Sequence, residues 1–151
     1  MTDSGSKYYI DTTLNRDEHD KWIQLIDLYI EDAEEIEFNI LFKSSDYHDF
    51  FNEFKDDLIS IGKRKDKIYH SGQYIRFKKS LKLVQYIKAK PYSDWKNNFL
   101  EDISFLKNGI EFFATISHEY YIIIKLDESE RFELNSKGYS FDTELPYPNK
   151  K

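Results

Sequence analysis

The sequence predicts an α+β fold, a mainly antiparallel β-sheet with about three helices packed against it. The first observation behind this is the stretch Ile110 to Leu126, the longest apolar run in the chain. There Ile110, Phe112, Ala114 and Ile116 alternate with Glu111, Phe113, Thr115 and Ser117. Beyond His118-Glu119, Tyr120, Ile122, Ile124 and Leu126 alternate with Tyr121, Ile123 and Lys125. Period-two alternation of β-branched and aromatic residues is a strand signal, so Ile110–Ser117 and Tyr120–Leu126 are expected as adjacent antiparallel strands in mid-sheet. The second observation is a set of apolar stripes at helical spacing elsewhere, each opened by a residue suited to capping. The third is size: 151 residues suit one domain, and such a chain removes roughly two thirds of its unfolded surface from water. A sheet with an apolar face needs helices to cover it.

Taken in order, residues 1–7 read as a disordered N-terminus, 8–142 as the α+β domain and 143–151 as an extended tail containing Pro146 and Pro148. Tyr8 to Asp11 reads as a short strand. Asn15 or Asp17 can cap a helix to about Ala33, with Trp22, Ile26, Tyr29, Ile30 and Ala33 on its inner face and Asp17, Asp20, Gln24, Asp27 and Glu31 outside. Ile36 to Phe42 alternates as a strand. Ser45 is expected to cap a second helix running to about Ile61, stopped by Gly62. Its inner stripe is Tyr47, Phe50, Phe51, Phe54, Leu58 and Ile61; Asp46, Asp49, Glu53, Asp56 and Asp57 fall in one sector outside.

Lys67–Ser71 and Gln73–Lys79 read as strands about a Ser71-Gly72 turn. Leu81 to Ala89 fits both periods, and a strand is expected because the segment is short and Pro91 follows. Ser93 is expected to cap a third helix through Lys107, closed by Asn108-Gly109, with Trp95, Phe99, Ile103 and Leu106 inward. Arg131–Leu134 and Tyr139–Phe141 are expected as short strands around Lys137-Gly138.

Composition narrows the function classes. The chain has no cysteine, which removes disulfides, zinc–thiolate sites and thiol catalysis. The first residues, MTDSGSKYY, lack the layout of a signal peptide, and no window approaches a membrane-spanning length of apolar residues. A cytoplasmic protein is the expectation. No P-loop, GxGxxG, GxSxG or HExxH is present. The histidines are His19, His48, His70 and His118; Asp46-x-His48 sits at a spacing that points two helix side chains apart, and His118 falls in a turn with no partner named by the sequence. No catalytic residue, cofactor site or metal site is therefore expected.

The net charge of −6 hides a segregation. Residues 1–62 hold 16 acidic against 5 basic residues, a net of −11, and residues 63–90 hold 10 basic residues against Asp66, a net of +9. Residues 91–151 hold 11 acidic against 7 basic residues. Segregation on this scale is about partners. The acidic stripe Asp46, Asp49, Glu53, Asp56 and Asp57 suits a basic protein partner, and the first helix repeats the acidic outside. With no catalytic motif, the combination points to a small non-enzymatic inhibitor of the immunity-protein or antitoxin type. The rival is a nucleic-acid-binding module built on the basic, aromatic segment 63–90, with Lys67, Tyr69, Tyr74, Arg76, Lys78, Lys79 and Lys82 as its contacts. The acidic remainder of the chain opposes that reading, since it repels a phosphate backbone.

Overall fold

A computed structural model describes residues 5–15, 17–63 and 72–145. Its elements in chain order are β1 (Lys7–Asp11), α1 (His19–Ile30), β2 (Glu35–Ile40), α2 (Ser45–Phe54), β3 (Leu58–Lys63), β4 (Gln73–Lys78), α3 (Leu81–Ala89), β5 (Leu100–Lys107), β6 (Ile110–Ile116), β7 (Tyr121–Leu126), α4 (Glu128–Ser136) and β8 (Thr143–Leu145). The eight strands form one antiparallel sheet in the order β3-β4-β2-β5-β6-β7-β1-β8. The α+β class is as expected, with four helices among the described residues in place of about three.

The Ile110–Leu126 hairpin is the expected antiparallel pair, with Phe113 opposite Ile124 and Thr115 opposite Ile122. Both of its faces are apolar. Phe113, Ile122 and Ile124 join the main core, while Ala114 and Ile123 meet Tyr8 and Ile10 in a small cluster on the other side. The main core takes residues from all four helices, among them Trp22 and Ile26 of α1, Phe50 and Phe54 of α2, Leu83 and Ile87 of α3 and Leu134 of α4. The helices therefore cover one face of the sheet and leave the other without them.

Several elements differ from expectation. The second helix stops at Phe54; a 3₁₀ turn, Lys55–Asp57, turns the chain into β3, so Leu58 and Ile61 lie on an edge strand and not on a helix. Ile59, Ile61 and Gly62 are poor helix formers, and β4 offers them a ladder. Leu81–Ala89 is a helix and not a strand: Ser80 Oγ accepts from Leu83 N at 3.1 Å, and Leu83 and Ile87 bury one turn apart. The expected third helix, Ser93–Lys107, is a 3₁₀ turn (Tyr92–Trp95) followed by β5. β5 is buried on both faces except at Lys107, so it carries no alternation to read. Asn108 (φ 53°) and Gly109 (φ 75°) close the β5–β6 hairpin in the left-handed pair a type I′ turn requires.

Arg131–Leu134 is helical, within α4. Asp127 and Glu130 form a capping box there, with Glu130 N donating to Asp127 Oδ1 and Asp127 N donating to Glu130 Oε1, both at 2.8 Å. Tyr139–Phe141 is not a strand; both rings are buried beside α4, and the last strand comes two residues later. Neither Asn15 nor Asp17 caps α1, whose N-cap position is Glu18 without a side-chain bond, and Ser44, not Ser45, caps α2. The expected strand Lys67–Ser71 lies outside the described residues, and β4 pairs with β3 and β2. β1 opens at Lys7, and β2 closes at Ile40.

Candidate functional site

α2 is where the acidic stripe was expected. Ser44 Oγ accepts from Tyr47 N at 3.2 Å and starts the helix, and Tyr47, Phe50 and Phe54 bury its inner face. Phe50 packs on Tyr86 of α3 with ring centroids 5.1 Å apart. That fixes the rotation of the helix, so Asp46, Asp49 and Glu53 are exposed on the opposite side. Asp56 and Asp57 lie on the following 3₁₀ turn, Asp56 exposed and Asp57 half-buried. The five carboxylates are thus neighbours along the chain but share two elements rather than one helix face. Their field is felt locally: burial first, then the charges of Glu53 and Asp46, push the Tyr86 phenol up to about 12. The loop entering α2 leaves Leu41 at 39% and Phe42 at 49% exposure. On α1, Asp20, Asp27 and Glu31 are likewise exposed.

The basic segment is used differently. Arg76 on β4 donates twice to Glu37 Oε1, from Nε at 3.1 Å and Nη2 at 2.8 Å, and its Nη1 lies 3.5 Å from Glu35 Oε1. Its guanidinium also sits 5.4 Å from the Tyr74 ring centroid. Lys79 Nζ donates to the carbonyls of Ile30 and Glu31, at 3.0 and 2.9 Å, at the negative end of the α1 dipole. Lys82 of α3 pairs with Glu53 of α2 at 3.5 Å, and Lys88 of α3 pairs with Asp27 of α1 at 2.6 Å. Lys78 is exposed. Lys67 and Tyr69 lie outside the described residues.

The structure also gathers a group that linear reasoning missed. On the helix-free face, Asn39 of β2 stands opposite Glu101 of β5, and Asn39 Nδ2 donates to Glu101 Oε2 at 3.2 Å. Glu101 Oε1 lies 3.3 Å from His118 Nδ1, supplying the partner that His118 lacked in the sequence. Burial first, then the neighbouring Asp102 charge, raise the Glu101 carboxyl above its ordinary value, against the opposing pull of Asn39 and His118. Asp102 has φ 54° in mid-strand, a conformation uncommon outside glycine. It is held by a two-way clamp: Asp102 N donates to Ser117 Oγ at 2.9 Å and Ser117 N donates to Asp102 Oδ1 at 2.8 Å. The clamp ties the turn that carries His118 to β5. Residues 39, 101 and 118 are so far apart in the chain that only sheet topology brings them together.

Among the described residues no three acidic or histidine side chains converge as a metal site, and no helix is long and apolar enough to cross a membrane. No protein-family model matches the chain, and none of the curated proteins or solved structures compared with it matches significantly.

Proposed function

We propose that this chain is a small, non-enzymatic, cytoplasmic inhibitor of the immunity-protein or antitoxin kind, which binds a basic protein partner through the outer face of α2 and the turn that follows it. One observation carries the reading. Asp46, Asp49, Glu53 and Asp56 are exposed together, and Lys82 is the one cation paired with any of them among the described residues. Like charges held on a rigid helix raise the energy of the free chain, and a cationic surface relieves them and is steered in by them. Charge gives rate more than affinity, so an interface of this kind needs desolvated anchors. Leu41 and Phe42, half exposed on the loop entering α2, stand where such anchors would serve.

The nucleic-acid reading draws less support. Three of its cations, Arg76, Lys79 and Lys82, already have intramolecular partners, so using them on phosphate would first uncouple Glu37, the α1 carbonyls and Glu53.

The test is capture of a partner from the native host with the tagged chain, followed by binding kinetics with that purified partner. Asp49→Lys combined with Glu53→Lys is expected to slow association about tenfold at low salt and to flatten its salt dependence. A partner whose association rate and affinity ignore both reversals refutes the assignment of this face. Submicromolar binding of RNA or DNA that is lost on reversing Lys78 and Lys82 would move the function to the basic strand.

A further inference from the structure

The two edges of the sheet are protected unequally. β8, at one edge, is three residues long and is followed in sequence by Pro146, which has no amide hydrogen to offer a further strand. β3, at the other edge, is six residues long and contains no proline. Among the described residues it pairs only with β4, so its outer row of backbone groups faces no other strand. Two isoleucines stand on this edge, Ile59 at 47% and Ile61 at 41% exposure. A long edge with apolar side chains is a template for strand addition unless something covers it.

The charge pattern says which strand would fit. The sign reversal of the whole sequence falls across β3. Asp56 and Asp57 precede it, and Lys63, Arg64 and Lys65 close and follow it. The strand is therefore acidic at its start and basic at its end. Turning a second copy antiparallel about a two-fold axis at Ser60 brings the turn that carries Asp57 in each copy to the Lys63 end of the other, and sets Ile59 opposite Ile61. A polar edge with the same sign at both ends would repel its own copy; this one attracts it at both ends. The bulge between Leu58 and Ser60 leaves Ile59 out of register with β4 while Ser60 to Lys63 pair regularly, so an outward-turned ladder remains on the half of the strand that carries Ile61.

We propose that β3 is a self-complementary pairing edge, through which two copies of this chain join antiparallel and extend the sheet across a two-fold axis. The surface shares the Lys55–Asp57 turn with the proposed partner face but not Asp46, Asp49 and Glu53 on α2, and self-association is measured without any partner, so the two tests are distinguishable.

The experiment is sedimentation of the full chain over a concentration series, at low and at physiological salt, for the wild type, Asp57→Lys, Lys63→Asp and the double swap. Each single reversal places like charges opposite one another twice in the dimer and is expected to weaken dimerisation about tenfold or more, while the double swap restores it. Added salt is expected to weaken the wild type and leave less to lose in the single variants. Thermal melts of all four proteins check that they fold. Ile61→Lys gives an independent arm and is expected to abolish the dimer. A wild type that stays monomeric into the millimolar range overturns the proposal. So does a dimer that ignores both single reversals, or single reversals that weaken it without recovery in the double swap.

Discussion

Ile124→Ala should be among the most damaging single truncations in the sheet. Ile124 is fully buried in β7, opposite Phe113 and between the helix layer and the neighbouring strands. The change removes three carbons, which costs about 2.5 kcal/mol of transfer free energy at roughly 0.8 kcal/mol per methylene. If the neighbours do not move, the void adds up to about 2 kcal/mol more, at roughly 24 cal/mol per Å³ of cavity. Phe105 and Phe113 are stacked with centroids 4.6 Å apart, and such a pair has little freedom to collapse inward. A loss of about 3–4 kcal/mol is therefore expected, within the range measured for buried isoleucine truncations. Ile110→Ala is the matched control. It deletes the same atoms from the same hairpin at a position 49% exposed, and about 1 kcal/mol or less is expected. Urea unfolding followed by tryptophan fluorescence gives both numbers, with an unchanged slope required for the comparison. Equal losses at the two positions would refute the placement of the core on the Ile124 face.

Two further outcomes follow from the polar groups of the helix-free face. Arg76→Met removes the two hydrogen bonds that Glu37 Oε1 accepts from it, with the Glu37 side chain 5% exposed, and a loss of about 1–3 kcal/mol in urea unfolding is expected, part of it recovered by adding Glu37→Gln. Glu101 has a raised carboxyl pKa, so the folded chain holds that proton more tightly than the unfolded chain does. Its effect on stability is absent at pH values below the ordinary carboxylate range and becomes a growing loss as pH rises through that range towards the raised value. Glu101→Gln is expected to remove this slope and to raise stability at neutral pH, measured by denaturant unfolding at a series of pH values; a steeper slope in the variant would contradict the assignment.

How legible each element was depended on whether its burial matched a simple period. β6 and β7 were legible because period-two alternation of β-branched and aromatic residues runs through Ile110–Leu126, although that alternation set Ile110, Phe112, Ala114 and Ile116 on one apolar side and the core takes Phe113. β5 was lost for the opposite reason. Leu100 to Leu106 is buried on both faces, so its polar residues Glu101, Asp102 and Ser104 bury as well, and Trp95, Phe99, Ile103 and Leu106 mimic a helical stripe. β3 was absorbed into α2 because Leu58 and Ile61 continue the spacing of Phe50 and Phe54; the β-branched pair and Gly62 carried the contrary signal. α4 was missed, Arg131–Leu134 being expected as a strand, although Asp127-x-x-Glu130 carries the spacing of a capping box. The acidic surface was legible because exposure on α2 follows from the burial of its aromatics. The Asn39–Glu101–His118 group was not, because its members are neighbours only through the pairing of β2 with β5 and the turn after β6.

The segregated charge of the sequence resolves into three uses once the chain is folded. Part of it is consumed across the sheet, where Arg76 meets Glu35 and Glu37 and anchors β4 to β2. Part is consumed between helices: α3 contributes Lys82 to Glu53 on one side and Lys88 to Asp27 on the other, so a basic helix lies between two acidic ones. Both of these inter-helix pairs are at least two-fifths exposed at each end, and exposed pairs contribute about 0–1 kcal/mol each, so they orient the helices more than they hold them. Part stays exposed: Asp20 and Glu31 about α1, Asp46, Asp49 and Asp56 about α2, and Lys63 at the end of β3, with Asp57 half-buried before that strand. Charge that the fold neutralises explains itself by stability. Like charge left exposed on a rigid helix beside Phe42 raises the energy of the free chain through self-repulsion. That exposed charge, and not the total charge of −6, is what the proposed contacts at α2 and β3 would engage.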